Sequence, residues 1–106
     1  IFDFLFKNFS REISLVEVAR IANMSPTTFC RYFKKRTNKT FITFLNEIRI
    51  GHACKLLIEE HNMNVSQVCF ESGFNNLTNF YIQFKKLKKL APTEFREKYQ
   101  LPVHLP

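Results

Sequence analysis

Glycine, proline and paired cysteines are scarce in this 106-residue sequence. The 2 Gly and 4 Pro argue against a collagen-like chain, a low-complexity segment or a turn-rich β sandwich. The three cysteines, Cys30, Cys54 and Cys69, form no Cys-x-x-Cys pair, so disulfides and a zinc finger are poorly supported. No apolar run is long enough to cross a membrane. We therefore expect a reduced, cytoplasmic chain with no membrane contact, no metal and no cofactor.

Acidic residues are missing from two stretches of the chain, whose formal net charge is +7. None lies between Val18 and Asn46, or between Ser72 and Thr93. The basic residues of these stretches are Arg20, Arg31, Lys34, Lys35, Arg36 and Lys39, and Lys85, Lys86, Lys88 and Lys89. Such a stretch is either a solvated helix face or a surface for an anionic partner, most often nucleic acid.

Apolar residues recur at intervals of three and four along most of the chain, which predicts an all-α fold of about seven helices. Residues suited to N-caps precede five of them: Ser14, Ser25, Thr40, Asn64 and Asn76. Pro92 opens the last helix. Asn23 and Asn38 suit left-handed turns after two of the helices. The first helix is predicted to bury the face that carries Phe2, Leu5, Phe6 and Phe9.

The two halves of the chain repeat one another, at an offset of fifty residues up to the turn and of fifty-one after one extra residue in the second turn. Each half reads as a short helix, a turn, a capped second helix and a basic end, which is the helix-turn-helix pattern. We predict a first unit at 1–39, a linker helix at 40–61, a second unit at 62–99 and a loose tail at 100–106. The matching apolar positions are Leu15, Val18, Ala19, Phe29 and Phe33 in the first half and Val65, Val68, Cys69, Phe80 and Phe84 in the second.

Two inward phenylalanines, Phe29 and Phe33, predict the outer face of the first unit's second helix. At about 3.6 residues per turn, that face consists of Thr27, Arg31 and Lys34. Arg31 has a donor fork that suits guanine O6 and N7, and Thr27 suits a hydrogen bond or a thymine methyl. The repeat favours a base or phosphate contact for Arg31 over a merely solvated cation.

The second unit has the same geometry and a different surface. Its predicted outer face consists of Thr78, Ile82 and Lys85, with Leu77 and Tyr81 beside it as contacts or ordinary packing. Ile82 stands where the first unit has Arg31. It either reads a thymine methyl, leaves the unit binding weakly, or covers a partner domain. We expect the first unit to discriminate DNA sequence more strongly.

The long helix between the units sets their distance. From Phe41 to Glu60 it spans about 30 Å, close to the ~34 Å repeat of successive major grooves. Arg49 on this helix is either a structural link between the units or a DNA contact, and the first reading is slightly favoured. The candidates for phosphate contact are Lys34, Lys35, Lys39, Lys85 and Lys86, together with the helix start at Thr40.

The run from Ser14 to Tyr99 resembles the DNA-binding region of AraC/XylS-family bacterial transcription regulators. The resemblance rests on SLVEVARIANMSPTTFCRYFKK, on RIGHACKLL and on VSQVCFESGFNNLTNFYIQFKKLKKLAPTEFR. Family members usually have Gly at the positions of Asn38 and Lys89, so Lys89 is either strained or in a differently built turn. They usually have Ser or Thr at the position of Ala91, which provides no side-chain cap.

The resemblance implies two helix-turn-helix units on a long helix, binding double-stranded DNA in the major groove. It implies base contacts at Thr27, Cys30, Arg31, Leu77, Thr78 and Ile82, and Tyr81 completes our set of candidates. It also implies RNA polymerase as a partner if the protein is an activator. An N-terminal effector or dimerisation domain is expected ahead of Ile1.

Two other functional classes were weighed against DNA binding. A basic helical module could bind an acidic protein partner instead, although acid-free stretches on both second helices favour DNA. An enzyme is a poor fit, because His52, His61 and His104 share no nucleophile-base or metal spacing with the cysteines. We therefore predict no catalytic residues.

Overall fold

The computed structural model describes residues 1–100, which form seven α-helices and no strand. The helices are α1 (Phe2–Asn8), α2 (Leu15–Ile21), α3 (Pro26–Thr37), α4 (Phe41–Glu59), α5 (Val65–Glu71), α6 (Leu77–Lys88) and α7 (Pro92–Tyr99). The predicted all-α fold of two helix-turn-helix units on a long helix is confirmed. The predicted tail, apart from Gln100, lies outside the described residues, as does His104. None of these seven helices combines the length and apolarity of a membrane span.

Side chains cap the starts of five helices at the positions that the sequence predicts. Each cap accepts a hydrogen bond from the backbone N–H three residues later, a contact worth about 1 kcal/mol. The capping residues are Ser14, Ser25, Thr40, Asn64 and Asn76. At α7 the cap position is Ala91. There the Glu94 carboxylate accepts the Ala91 N–H at 2.8 Å.

Left-handed residues end two of the long helices. Asn38 has a φ of 61° after α3, and Lys89 has a φ of 66° after α6. Of the two alternatives for Lys89, the structure has the strained one, since side chains other than Gly and Asn disfavour this region. The Lys89 ammonium donates to the carbonyl of Lys86 at 3.0 Å. In the tight turn between α2 and α3, Asn23 has a φ of 60°, as predicted.

Two hydrophobic cores lie along the molecule, and α4 belongs to both. Phe41 and Leu45 pack into the first core, against α1, α2 and α3. Ile50, Ala53 and Leu57 pack into the second, with α5, α6 and α7. A helix that is apolar on several sides thereby packs against both units, although Ile42 stays exposed. The predicted residue boundaries between units stay a prediction, because α4 contributes to the core on either side.

One predicted buried residue is exposed. The aromatic spacing of α1 placed Phe6 on its inner face, but Phe6 is 56% exposed and contacts only the edge of Phe44 among the described rings. The buried side of α1 is centred on Leu5 and turned toward Phe4, which is half-buried. The prediction was wrong because apolar spacing does not fix how far a helix of only seven residues is rotated about its axis.

Candidate nucleic-acid interface

Helix α3 has one buried side and one exposed side, as the sequence predicts. Phe29 and Phe33 are fully buried, with ring centroids 5.6 Å apart. The opposite side exposes Thr27, Cys30, Arg31, Lys34 and Lys35. The phenylalanines are therefore structural, and the exposed residues are free to contact a partner.

A shallow depression gathers the predicted contacts of the first unit. It is lined by Thr27, Cys30, Arg31, Lys34, Thr40 and Phe41, and we call it the α3 surface. Base-contact and phosphate-contact candidates thus lie side by side. The hydroxyl of Thr40 is engaged in capping, where it accepts the N–H of Thr43 at 3.2 Å. A phosphate would therefore meet the backbone N–H groups at the start of α4.

A second depression has the corresponding position on α6. It is lined by Tyr81, Ile82, Lys85, Lys86 and Ala91, and we call it the α6 surface. Leu77 and Thr78 are exposed one turn earlier, outside this depression. Ile82 is 57% exposed, so it is not a core residue. An aliphatic side chain with that exposure has apolar area to offer a ligand.

Lys39 has an intramolecular partner that the sequence did not reveal. Its ammonium donates to the Glu47 carboxylate on α4. Lys39 is eight residues from Glu47 and precedes α4, so helix periodicity gave no signal for the pair. An exposed ion pair of this kind is worth about 0–1 kcal/mol, so a phosphate could still compete for Lys39. Lys39 stays a predicted phosphate contact.

Neither second helix contains an acidic residue. Their last turns hold Lys34, Lys35 and Arg36 in α3, and Lys85, Lys86 and Lys88 in α6. Cations at helix C-termini stabilise the helix itself by about 0.3–1 kcal/mol each. The same cations leave a positive rim beside each exposed face, which is the electrostatic footprint of a phosphate-binding surface.

Two arginines, Arg49 and Arg96, each connect a helix to backbone carbonyls that are distant in the sequence. Arg49 on α4 donates to the carbonyls of Phe9 and Arg11, just after α1. Arg96 on α7 donates to the carbonyls of Leu57 and Glu60, at the end of α4. Helix C-termini leave carbonyls without intrahelical partners, and these guanidinium groups satisfy those of Phe9, Leu57 and Glu60. Burial lowers the pKa of Arg49, and the nearby Glu12 carboxylate opposes that effect.

The fold and these surfaces define a helix-turn-helix DNA-binding domain, and comparison with known proteins agrees. A family model described as a helix-turn-helix domain matches residues 18–98. The chain belongs to this family, and its relatives identify the AraC type. It is 28% identical over 90 residues to the uncharacterized HTH-type transcriptional regulator YdeC of Bacillus subtilis (strain 168), covering 85% of this chain and 31% of that protein.

Solved structures match almost the whole described chain. The C-terminal domain of AraT, a response regulator from Geobacillus stearothermophilus, has a TM-score of 0.89 and 25% identity, covering 98% of this chain and 86% of that one. The DNA-binding domain of AdpA, a global transcriptional factor solved in complex with a target DNA, has a TM-score of 0.87 and 22% identity, covering 92% and 87%. That second likeness shows the fold. The chain spans between about a tenth and a half of the length of the curated relatives it matches.

Proposed function

We propose that this chain is the DNA-binding module of a bacterial transcription regulator. It binds duplex DNA sequence-specifically, with α3 and α6 in two successive major grooves. One observation carries the proposal: both second helices bury two phenylalanines on one side and expose an acid-free, lysine-rimmed face on the other. Solvation alone does not explain why both second helices combine a buried phenylalanine side with an exposed side that lacks acidic residues.

The length of α4 supports the two-groove arrangement. With 19 residues it extends about 28 Å, compared with the ~34 Å between successive major grooves on one side of DNA. A single chain then reads two groove segments without a second copy.

The contacts divide by chemistry. Arg31 reads a guanine through its two parallel N–H groups, while Thr27 and Thr78 hydrogen bond to bases or touch a thymine methyl. Ile82 offers only apolar contact, which suits a thymine methyl. The residues proposed to contact phosphates are Lys34, Lys35, Lys39, Thr40, Lys85 and Lys86.

The wider role follows from the kind of relative that the chain matches. These relatives are named transcriptional regulators, which supports a binding module without catalysis, acting in the cytoplasm. The matched region covers between 11% and 54% of their length, which supports an additional effector or dimerisation domain. If the regulator activates transcription, RNA polymerase is its second partner.

Selection of bound duplexes from a random pool tests the proposal. We expect an enriched sequence that covers two groove segments one helical turn apart. Fluorescence anisotropy should then show about 10³-fold or greater preference for that sequence over random duplexes. With six phosphates neutralised, log K should fall against log salt with a slope of about −5. Absence of duplex binding at low salt would refute the proposal.

A protein-interaction module is the second candidate, and one observation favours it. The second unit exposes Phe70 and Ile82, at 51% and 57%, where the first unit has arginines. Exposed apolar residues of this kind occur at protein interfaces. Saturable binding to an acidic protein, unaffected by excess duplex, would support this function instead.

A further inference from the structure

The two units meet at a junction around one arginine. Arg49 donates from Nε to the carbonyl of Phe9 at 2.8 Å and from Nη2 to the carbonyl of Arg11 at 2.9 Å. On its other side, the guanidinium carbon lies 5.9 Å from the centre of the Phe74 ring. That distance is within cation–π range, and Phe74 belongs to the core of the second unit. One half-buried guanidinium therefore contacts both units.

Gly73 brings the backbone of the second unit directly against the first. A Cβ at this position would lie 2.3 Å from the carbonyl oxygen of Phe9 and 2.8 Å from Nε of Arg49. Its φ of 97° also belongs to the region that favours glycine. The corresponding turn residue of the first unit is Asn23, which is exposed. The close approach is therefore specific to the second unit.

We propose that Arg49 is a positioning residue that holds the two units at one angle and so fixes the spacing of the two recognition helices. A cleft of about 430 Å³ lined by residues of both units lies beside Arg49, so the units are not packed together along that side. Helices bend, and a restraint away from the axis of α4 limits that bending. This inference rests on the proposed function only where it concerns DNA.

The consequence for DNA recognition is a strict requirement on site spacing. One inserted base pair moves the second groove segment by about 3.4 Å along the axis and rotates it. A protein whose units are held at one angle cannot follow that displacement. We therefore expect one inserted or deleted base pair between the two halves of the selected site to lower affinity about tenfold or more, as a mismatch does.

The first test follows the relative placement of the two units in the absence of DNA, through the distance between two spin labels. Cys30 is exposed, while Cys54 and Cys69 are buried and burial raises the pKa of both thiols, so spin labels react selectively. A second label is attached after Glu71→Cys, an exposed position at the end of α5 and therefore not on the helix that Arg96 holds. Pulsed electron paramagnetic resonance should give a narrow distribution of distances between the two labels in the parent protein. In Arg49→Gln the distribution should be broad or shifted.

Arg96 provides the matched control. It also donates Nε and Nη2 to two carbonyls, of Leu57 and Glu60, and both lie at the C-terminal end of α4, far from the contact with the first unit. Arg96→Gln loses a similar set of hydrogen bonds and should keep the narrow distribution. Should Arg49→Gln not fold, as judged by circular dichroism, Arg49→Lys keeps the charge but lacks the fork and should broaden the distribution less.

The second test uses the selected duplex and its spacing variants. Arg49→Gln should flatten the spacing dependence, whereas Arg96→Gln should retain it. An unchanged distance distribution in Arg49→Gln, or an unchanged spacing dependence, would overturn the positioning role. A uniform affinity loss on all duplexes with an unchanged distribution would make Arg49 a phosphate contact. If the parent protein binds no duplex, the proposed function fails, and the distance measurement still decides the role of Arg49.

Discussion

The two helix-turn-helix units share their interior and differ on their surface. Both are capped by side chains, bury paired phenylalanines and end their second helix in a left-handed residue. The first exposes Arg20 and Arg31 where the second exposes Phe70 and Ile82. Core positions are constrained by close packing, while exposed positions tolerate substitution. One scaffold thus presents a cationic surface and a more apolar one.

The turns of the two units differ in what surrounds them. Asn23 and Gly73 both have positive φ, but only Gly73 lies against the backbone of the other unit. The turn of the second unit is therefore constrained by the first unit as well as by its own helices. The comparison indicates that the turn of the second unit contributes to the junction between the units, whereas the turn of the first unit does not.

The largest expected effect is on the free energy of unfolding, and it tests whether the cores of the two units are equivalent. Phe33→Ala and Phe84→Ala each remove a fully buried ring and should lower the free energy of unfolding by about 3–5 kcal/mol. Phe33→Ala should cost more, because Phe33 contacts more rings. Its ring neighbours are Phe2, Phe29, Phe41 and Phe44, whereas those of Phe84 are Phe80 and Phe95.

Urea unfolding followed by circular dichroism measures these losses. Because α4 lies in both cores, we expect a single transition for each variant. Lys55→Ala, at an exposed position of α4, is the control and should stay within about 0.5 kcal/mol. Two separate transitions would mean that the units unfold independently.

The next effect concerns the cationic surface. Arg31→Ala should lose about 1–3 kcal/mol of binding free energy on the selected sequence and little on random duplexes, because a bidentate guanine contact is lost. Lys35→Ala, on the same exposed side of α3, should weaken binding to all duplexes alike. Anisotropy titrations on both duplexes measure the difference. An equal loss on every duplex for Arg31→Ala would reassign it to phosphate.

Making the α6 surface resemble the α3 surface should change DNA affinity less than Arg31→Ala does. Ile82→Arg should raise affinity for duplexes in general and steepen the salt dependence of log K by about 1, since one more phosphate contact becomes possible. Ile82→Gln separates polarity from charge and should not show that steepening. If Ile82→Arg leaves affinity and slope unchanged, the α6 surface does not reach DNA.

The smallest expected effect lies at the helix ends. Lys89→Gly should raise the free energy of unfolding by up to about 1 kcal/mol, because glycine adopts a positive φ without the cost that lysine incurs. Asn38→Gly should change stability less, since asparagine tolerates this conformation. Thermal melts of both variants compare them. Equal changes at the two positions would argue against strain at Lys89.

Most of the fold was predictable because its signals are local. Each cap bonds a backbone group three residues away, and each buried phenylalanine pair follows helix periodicity. The repeat then predicted the exposed faces of both second helices. The roles of those faces in DNA contact stay predictions. Phe6 was mispredicted because periodicity alone does not say how far a short helix is rotated about its axis.

The remaining features depend on residues that are distant in the sequence. The sequence allows Arg49 two roles, and only the structure shows its two carbonyl partners. The pairing of Lys39 with Glu47 was also unseen, because it spans the turn between two helices. Neither contact leaves a pattern in the sequence, since a lysine or arginine reaches whatever acceptor the fold brings near.

The sequence by itself determined where the helices begin and end, which phenylalanines of the two second helices lie inside and which residues those helices expose. Those properties depend on hydrogen bonds and packing between residues a few positions apart. Only the tertiary structure decided how the units are joined. The contact of Arg49 with Phe9 links residues 40 positions apart, and the absence of space beside Gly73 exists only once both units are folded against each other.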